Sequence, residues 1–480
     1  MNARIIRLFV FIAFMFALLV GFTSYWSVFD AHDLKNQRVN KRPLFEAQQI
    51  KRGRITTADG VLIAHSIREG NGASRQYVRR YPNGTLFGHP IGYSFAEYGN
   101  SEFEKSHNDE LIGEGSEFTS LIDQLRGQKQ EGNNIQTSID SNAQQTAVDL
   151  LAGQPGAVVA MVPSTGQIKA MVSVPPYDPN AIPGDFTKIN KDPAAPIVDR
   201  AVQGLYPPGS TFKVVTSAAA LDSGVATPDT TFNAPGSLTI QGQPLANDFD
   251  QDFGTIDMNT ALTNSVNTYY AQLGAKVGKD TLYEYMDRFG FNSNPQIDLP
   301  DDQTYTSGVY DGQKLLADGE GVDIARIAIG QERLLATPLQ MAEVASTIAN
   351  GGKLMRPQIW NKVTDPDGRV LDTMDPSQQS DVLSEGTASE LTDMMKNVVA
   401  EGTGTAAALS GVDVAGKTGT AEVPGKEACN GLPNQAWFIG FAPADDPQIA
   451  VAATVECTEG QGGTVAAPIA AGVMQSLLGG

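Results

Sequence analysis

An uncharged apolar segment near the start of the chain places the strongest limit on its architecture. Residues 8–28 read LFVFIAFMFALLVGFTSYWSV, 21 positions without a charged side chain. A helix of about 20 residues, each rising about 1.5 Å, spans the roughly 30 Å hydrocarbon core of a bilayer. A cleaved signal peptide has a similar composition, but this run is long and no A-x-A cleavage site follows it closely. The segment therefore predicts an uncleaved membrane anchor.

The residues around the anchor predict its orientation. Arg4 and Arg7 precede it, and positively charged residues remain on the cytoplasmic side of membranes. Tyr25 and Trp26 lie at its far end, where aromatic rings favour the membrane–water interface. We expect a cytoplasmic tail at residues 1–7 and an extracellular or periplasmic location for everything beyond the anchor.

Length, composition and charge limit what the rest of the chain can be. The chain has 480 residues, enough for two or three domains. It is 41% hydrophobic and 18% charged, which is typical of a folded globular protein. Its formal net charge of −20 repels phosphate backbones, and no basic cluster in the sequence reverses this locally. We therefore expect no nucleic-acid partner.

Sequence patterns divide the exported part into two regions near residue 150. Residues 29–150 are polar and irregular, and within them KRGRITTADGVLIAHS (51–66) predicts two strands joined by a D-G turn. Residues 151–480 begin with a hairpin pattern, continue with several helical segments, and end with three strand-like runs and a helix. This order predicts an α+β domain in which helices flank an antiparallel sheet of about five strands.

The positions of the histidines limit the chemistry of the second region. All four, His32, His65, His89 and His107, lie in the N-terminal region, so the chain has none after residue 107. A serine nucleophile there has no histidine base, which excludes a Ser-His-Asp triad within that region. Catalytic zinc is disfavoured for want of imidazole ligands. We expect no metal and no cofactor, and a reactive serine would need a lysine or a carboxylate as its base.

The segment YPPGSTFK, residues 206–213, offers such a pair. If Ser210 opens a helix, Lys213 at i+3 shares its face, and the two side chains can approach each other. A lysine that is desolvated, or placed beside a second cation, loses its proton readily and acts as a base near neutral pH. Taken alone, however, Ser210 is explained more simply as a helix N-cap.

Two further segments, TNSVN and AGKTGTAE, supply partners for a lysine-based site. Their candidate residues are Ser265, Asn267, Lys417, Thr418, Gly419 and Thr420. Lys417 would be the second cation and Ser265 could relay a proton, while Gly419 leaves out a side chain where substrate would lie along a strand. Singly, these residues are explained as a helix cap, a turn asparagine and an edge-strand lysine. Their ordered combination favours a catalytic site.

The ordered set STFK, SVN and KTGT resembles the signature of the penicillin-binding protein and serine β-lactamase superfamily. The resemblance covers nearly the whole chain. KRGRITTADGVLIA is similar to the start of the pedestal domain of class B penicillin-binding proteins. Four other stretches are similar to their transpeptidase domain: GAVVAMVPSTGQIKAMVSVPPYDPN, IGQERLLATPLQMA, VVAEGTGTAA and AWFIGFAP. One departure is DRAVQG (199–204), where the family often has asparagine before the arginine.

This resemblance implies a domain arrangement and a role for each motif. An elongated, mostly β pedestal would occupy residues 29–150, below a transpeptidase domain at 151–480. Ser210 would be the acylated nucleophile, attacking the D-Ala–D-Ala amide of a peptidoglycan stem peptide, with Lys213 as its base. Ser265 would pass the proton toward the departing D-alanine, with assistance from Lys417.

The remaining motif residues would bind substrate. Asn267 would hold the peptide, and Thr418 and Thr420 would contact its terminal carboxylate. The backbone N–H groups of Ser210 and Thr420 would form the oxyanion hole. The amine of a second stem peptide would then resolve the acyl-enzyme as a cross-link, and β-lactam antibiotics would acylate the same serine.

The resemblance also implies a partner protein. About 120 residues separate the anchor from the predicted transpeptidase domain, too few for a glycosyltransferase domain. Class B members work beside a separate glycan polymerase with several membrane spans. We therefore expect a multi-pass membrane glycosyltransferase as the partner.

Both cysteines, Cys429 and Cys457, lie in the exported part, where an even count permits a disulfide. If 413–423, 435–443 and 448–457 are consecutive antiparallel strands, the loop after the first meets the end of the third at one edge of the sheet. Cys429 lies in that loop and Cys457 at that strand end, which predicts a bond between them. Two free buried thiols are the alternative.

Two other functions fit parts of the pattern. A D,D-carboxypeptidase or β-lactamase would use the same serine, but class A β-lactamases need a glutamate-activated water, and ERLLA (332–336) is a poor match to E-x-x-L-N. A penicillin sensor or a catalytically silent scaffold for a polymerase would keep the fold, yet intact motifs favour an enzyme. The predicted function is therefore a transpeptidase.

Overall fold

The computed structural model describes residues 2–26, 49–70, 76–114, 131–422, 429, 431–432 and 434–479. The first helix is Asn2–Ser24, whose segment from Arg4 onward is long and apolar enough to cross a membrane. Every side chain in that segment is exposed, so the helix contributes nothing to the protein's own core. It fits the predicted anchor, whose last two positions, 27 and 28, lie outside the described residues.

The region after residue 150 contains a sheet of five antiparallel strands, which confirms the predicted fold class. Because this is the region predicted to be catalytic, we call this sheet the catalytic sheet. From one edge to the other, its strands are Ala415–Glu422, Asn434–Ala442, Ile449–Thr458, Gly156–Met161 and Ile168–Val174. The first strand is an edge strand, and its register places Lys417 opposite Ile439 and Thr420 opposite Ala436. One side of this edge strand therefore remains free of neighbouring strands.

Both faces of the catalytic sheet are covered by helices, which explains why its strands read as continuous apolar runs. Along Gly156–Met161, Val158 and Ala160 join one buried cluster, and Ala157 and Val159 join the other. This alternation follows from the two-residue period of a strand. Helices Ser141–Leu151 and Ala466–Leu477 cover one face, and Pro338–Ala349 covers the other.

The residues that flank the helix Pro338–Ala349 explain where it begins and ends. Thr337 caps it by accepting a hydrogen bond from the backbone N–H of Gln340, and Pro338 occupies the first turn. Proline is well placed there because its missing N–H has no partner in the first turn of a helix. Gly351 follows the end with a φ of 62°.

Other helices lie between the second and third strands of the catalytic sheet in chain order. They are Ile182–Asn190, Arg200–Gln203, Lys213–Asp222, Met258–Thr263, Asn267–Val277, Lys279–Arg288, Ile324–Ile327 and Glu385–Ala400. Short strand pairs connect them, at Phe232–Ala234 with Gly254–Ile256, Ser237–Ile240 with Gln243–Ala246, and Lys353–Met355 with Gln378–Asp381. A further three-stranded sheet contains Gly308–Asp311, Lys314–Leu315 and Leu334–Leu335.

A second, six-stranded sheet forms the N-terminal region. In order across the sheet, its strands are Val370–Thr373, Trp360–Thr364, Asn134–Thr137, Ile55–Thr56, Leu62–Glu69 and Gln76–Arg80. The predicted hairpin at 51–66 is present, with Ile55 opposite Ala64. Short helices at Gly84–Ile91, Glu102–Ser106 and Asn108–Ile112, together with the strand pair Ser94–Phe95 and Gly99–Asn100, complete this region.

The structure departs from the predicted domain boundary in two places. The strands at 360–373 belong to the N-terminal sheet, because Val363 pairs with Ile135 across a non-local contact that no local pattern shows. The helix Ser141–Leu151 packs against Ala466–Leu477, so it belongs with the catalytic sheet. We therefore propose a boundary near residue 140, with 360–373 packed as part of the N-terminal region.

Candidate active site

Ser210 lies in a 3₁₀ turn, Gly209–Phe212, that leads directly into the helix Lys213–Asp222. Its backbone is fixed by Gly209, which has a φ of 53° and donates a hydrogen bond to the carbonyl of Gly330 at 2.9 Å. A Cβ atom on Gly209 would lie 2.7 Å from the carbonyl oxygen of Thr420, so only glycine allows this turn to approach the edge strand. Ser210 thus opens a 3₁₀ turn, and the α-helix begins three residues later.

The three motifs meet at the side chain of Ser265. Lys213 Nζ lies 2.6 Å from Ser265 O, 3.2 Å from Ser265 Oγ and 2.7 Å from Asn267 Oδ1. Lys417 Nζ donates to the same Ser265 Oγ at 2.9 Å and to Thr418 O at 3.0 Å. The Ser265 hydroxyl therefore bridges two lysines that are separated by 204 positions in the sequence.

Ser265 adopts an unusual backbone conformation to make this bridge. It lies between the helices Met258–Thr263 and Asn267–Val277, with a φ of 59°. A left-handed backbone at a residue other than glycine costs about 1–3 kcal/mol and is concentrated at functional sites. In this conformation, both Oγ and the carbonyl oxygen of Ser265 contact Lys213.

Burial weakens the usual preference of both lysines for a positive charge. Lys213 and Lys417 are completely buried, and neither forms an ion pair with any residue that the structure describes. Burial lowers the pKa of Lys417 to about 7. Burial lowers the pKa of Lys213 well below its usual value, and the nearby charge of Lys417 lowers it further. The charge of Asp248 acts in the opposite direction and raises the pKa of both lysines.

The hydrogen bonds of Lys213 are directed at Ser265 and Asn267 rather than at the serine of its own motif. Within the described residues, no hydrogen bond joins Lys213 Nζ to Ser210 Oγ, although both lie at the start of the same helix. Catalytic hydrogen bonds are often long in the absence of substrate and tighten in the reacting complex. The Lys213 amine thus lies beside the half-buried hydroxyl of Ser265, and Ser210 is three residues before it in the chain.

The structure shows a close backbone contact at Gly419. A Cβ atom at this position would lie 2.8 Å from the carbonyl oxygen of Pro208 and 2.9 Å from Thr211 Cγ2. The position that a Cβ atom on Gly419 would occupy is therefore filled by the turn that carries Ser210. The glycine allows the edge strand and the serine turn to pack closely, which the sequence alone could not distinguish from a substrate groove.

The hydroxyl groups of Thr418 and Thr420 are fixed from the side opposite the serine turn. Thr418 Oγ1 lies 2.6 Å from Thr403 Oγ1, and Thr420 Oγ1 accepts a hydrogen bond from the backbone N–H of Gly462 at 3.1 Å. Because Thr420 Oγ1 is an acceptor in this bond, its own proton remains available for donation. These contacts orient two hydroxyl groups on the edge strand.

Sequence reasoning missed several residues that the structure brings to this site. Thr403 lies in VVAEGTGTAA, a stretch that resembles the family but whose local pattern predicts no role for it. Glu456 accepts hydrogen bonds from Arg200 Nε at 2.8 Å and from the phenol of Tyr206, at the start of YPPGSTFK. Asp199, the departure from the family pattern, caps a short helix by accepting from the N–H of Ala201 at 3.0 Å.

The two cysteines lie at one end of the catalytic sheet. Cys429 and Cys457 are joined by a disulfide with a Cα–Cα distance of 5.1 Å. Cys457 directly follows Glu456 and has a φ of 51°. The disulfide thus lies next to the carboxylate that contacts Tyr206 in YPPGSTFK.

Comparison with known proteins shows the family to which the chain belongs. Residues 156–475 match the penicillin-binding protein transpeptidase domain, and residues 52–135 match the penicillin-binding protein A dimerisation domain. The chain is 36% identical over 494 residues to the peptidoglycan D,D-transpeptidase PbpA of Mycolicibacterium smegmatis, covering 98% of this chain and 97% of that protein. It is 30% identical over 434 residues to the peptidoglycan D,D-transpeptidase MrdA of Escherichia coli K12, covering 79% and 68%.

Solved structures are equally similar. Penicillin-binding protein A from M. tuberculosis, in a ceftriaxone acyl-enzyme complex, superposes with a TM-score of 0.80 at 34% identity, covering 91% of this chain and 100% of that chain. A D,D-transpeptidase domain from Eggerthella lenta superposes with a TM-score of 0.78 at 36% identity, covering 90% and 99%. The chain therefore belongs to the class B penicillin-binding proteins, in the superfamily that also contains the serine β-lactamases.

Proposed function

We propose that this protein is a serine-type peptidoglycan D,D-transpeptidase that cross-links stem peptides through an acyl-enzyme on Ser210. The observation that carries the proposal is the hydroxyl of Ser265, which contacts two fully buried lysines, Lys213 and Lys417. This arrangement supplies a base, a proton relay and a second cation without histidine. β-Lactams would acylate the same serine, as they do in the related acyl-enzyme structures.

The hydrogen bonds of Lys213 define how it would act as a base. A neutral amine has two N–H groups and one lone pair, and the oxygens Ser265 O and Asn267 Oδ1 accept the two N–H groups at 2.6 and 2.7 Å. The lone pair is then available to take the proton of Ser210 as its Oγ attacks the carbonyl carbon of the D-Ala–D-Ala bond. Ser265 would carry this proton to the amine of the departing D-alanine.

The edge strand would bind the substrate during both half-reactions. The hydroxyl groups of Thr418 and Thr420 would donate to the terminal carboxylate, while the N–H groups of Ser210 and Thr420 stabilise the oxyanion. Asn267 would hold the peptide. The amine of a second stem peptide then attacks the acyl-enzyme, a new amide forms, and Ser210 recovers its proton.

Covalent labelling tests the nucleophile. The full-length protein in detergent should be acylated by a fluorescent penicillin, and Ser210→Ala should abolish the labelling. Ser223→Ala is a matched control, because Ser223 lies just beyond the same helix and bonds only to the turn before it. Equal labelling of Ser210→Ala and the unchanged protein would contradict the assignment.

Product analysis separates a transpeptidase from a hydrolase. A synthetic pentapeptide ending in D-Ala–D-Ala is supplied as donor, together with a stem peptide that carries a free amine. A transpeptidase produces the cross-linked dimer, detected by mass spectrometry. A D,D-carboxypeptidase produces only the trimmed donor and free D-alanine.

The orientation and the partner are part of the same proposal. Arg4 and Arg7 support a cytoplasmic N-terminus, with the anchor at 8–28 and the catalytic region outside the membrane. Stem peptides are joined outside the membrane, and new glycan strands must come from a polymerase, so a multi-pass glycosyltransferase is the proposed partner. Protease treatment of intact spheroplasts should degrade the catalytic region, and protection from the protease would contradict the orientation. In-cell crosslinking should capture a glycan polymerase with several membrane spans.

A further inference from the structure

A short loop beside the site displays an aromatic ring and a carboxylate that the reaction described above does not use. We call Asp248–Asp250 the tip loop. It is anchored on the helix that begins with Asn267, because Asn267 Nδ2 donates to Ala246 O at 3.0 Å and Asn247 Oδ1 accepts from the N–H of Thr268 at 2.9 Å. The tip loop is therefore tied directly to Asn267, one of the residues that contact Lys213.

The anchoring extends through the base of the loop. Asn247 Nδ2 donates to Gln251 O at 2.8 Å and to Pro235 O at 3.0 Å, so this side chain closes the loop across both of its ends. Asn247 is itself buried, with 6% of its surface exposed. A buried, fully bonded asparagine fixes a loop in one conformation, which makes the tip loop a rigid feature of the site.

Phe249 is held in solvent by this loop. Its surface is 91% exposed, the largest exposed fraction among the large hydrophobic residues that the structure describes. Its φ is 58°, and that of Asp250 is 53°. Two consecutive left-handed residues other than glycine cost about 1–3 kcal/mol each. The fold thus maintains a strained backbone that exposes an aromatic ring, and the ring has no partner to cover it within the described residues.

Asp248 directly follows Asn247, the residue that bonds to the N–H of Thr268, next to Asn267. It is exposed, and its charge raises the pKa of both Lys213 and Lys417. It is the acidic group that acts on both lysines among the residues described. An exposed carboxylate beside the cleft repels the carboxylate at the end of the donor peptide, whereas it attracts a cation.

We propose that Asp248 and Phe249 bind the alkylammonium chain of the acceptor stem peptide. A carboxylate and an aromatic face together recognise this chemical class, because the carboxylate pairs with the ammonium and the ring contacts both the charge and the methylene groups. The proposal rests on the proposed transpeptidase function, and it adds a binding site for the acceptor peptide. It explains why the fold exposes a phenylalanine beside a site that binds peptides.

The chemistry of the acceptor step is consistent with this position. The bound ammonium releases one proton to bulk water and becomes an amine, whose nitrogen attacks the carbonyl carbon of the Ser210 ester. A C–N bond forms and the C–O bond to Ser210 breaks. The second proton of the nitrogen passes through Lys213 to Ser210 Oγ, which restores the free serine. Asp248 and Phe249 position the acceptor and take no part in bond formation.

The test compares two acceptors with the full-length protein in detergent. A pentapeptide donor forms the acyl-enzyme, and the partition between aminolysis and hydrolysis is measured by mass spectrometry. With a diamino stem peptide as acceptor, Asp248→Asn and Phe249→Ala should each lower the ratio of aminolysis to hydrolysis by about tenfold at subsaturating acceptor. With hydroxylamine, which is largely uncharged at neutral pH, the ratio should stay within about twofold for both variants.

Matched variants serve as controls. Asp250→Asn removes the same charge from the same loop and should retain the ratio, and Phe249→Tyr retains an aromatic face and should retain it too. An unchanged ratio in Asp248→Asn and Phe249→Ala, or an equal fall with both acceptors, would overturn the proposal. If the unchanged protein is labelled by penicillin but forms no dimer, the transpeptidase assignment fails instead, so the two failures are distinguishable.

Discussion

The protein buries ionisable side chains in two places, and the two groups differ in whether they have a partner of opposite charge. In the N-terminal region, Arg52 and Arg79 each donate to a carboxylate oxygen of Glu104 at 2.6 Å, and all three side chains are almost completely buried. In the active site, Lys213 and Lys417 are equally buried but form no ion pair with a described residue. In the first cluster each cation contacts a carboxylate, whereas the second contains only potential cations.

The pKa shifts show how the presence or absence of a counter-charge determines which protonation state a buried group adopts. Burial alone would raise the pKa of Glu104, but the charges of Arg79 and Arg52 lower it overall, so this group remains an anion. Burial without a counter-charge lowers the pKa of both lysines. A paired buried charge holds structure together, whereas an unpaired lysine gives up its proton and becomes a base.

The largest expected effect comes from removing the catalytic base. Lys213→Met should lower the rate of penicillin acylation by roughly 10²–10⁴-fold, the range for loss of general-base catalysis. The free energy of unfolding should be unchanged or higher, because the variant no longer buries an uncompensated amine. Stopped-flow labelling and chemical denaturation measure the two quantities. A large loss of stability would show that Lys213 is a structural residue like Glu104.

For the N-terminal cluster of Arg52, Arg79 and Glu104, we expect a loss of stability without a change in acylation. Glu104→Gln leaves two buried arginines without a counter-charge and should lower the free energy of unfolding by about 3–5 kcal/mol. Acylation per folded molecule should be unchanged. Glu69→Gln provides the control, since it breaks the exposed pair with Arg80 and should cost about 1 kcal/mol or less. Equal effects of the two substitutions would contradict the role assigned to burial.

A smaller effect is expected on the pH dependence of acylation. The reaction needs neutral Lys213, so its rate should rise with pH and level off well below the ordinary lysine pKa of about 10.4. Asp248 raises the pKa of both lysines, so Asp248→Asn should move the half-maximal rate to lower pH. On the plateau above the titration of Lys213, the rate should change little. A shift toward higher pH in this variant, or the same shift in Asp250→Asn, would contradict the assignment.

The smallest effect should come from a neutral contact in the same site. Thr403→Val removes the hydroxyl that lies 2.6 Å from Thr418 Oγ1. A neutral hydrogen bond contributes about 0.5–1.5 kcal/mol, which corresponds to roughly a two- to tenfold loss in acylation efficiency. Thr405→Val, in the next short helix, is the matched control and should leave labelling unchanged. A loss as large as that of Lys213→Met would mean that Thr403 acts directly on substrate.

Local sequence features determined much of this protein. The apolar run at 8–28 predicts a helix that fits a membrane anchor, and the hairpin and three late strand-like runs predict the five-stranded sheet, because strand and helix periods are local properties of the chain. The absence of histidine after residue 107 indicates that a reactive serine there needs a lysine or a carboxylate as its base. The ordered motifs carry the resemblance to the family.

Only the tertiary structure decided how these parts combine. The strands at 360–373 complete the N-terminal sheet, and Gly419 packs against the serine turn, because both depend on contacts between residues far apart in sequence. The same holds for Ser265 between Lys213 and Lys417, and for the display of Phe249 by the tip loop. Sequence specifies which side chains are available, but their burial and pairing, and therefore their pKa, exist only once distant segments have been brought together.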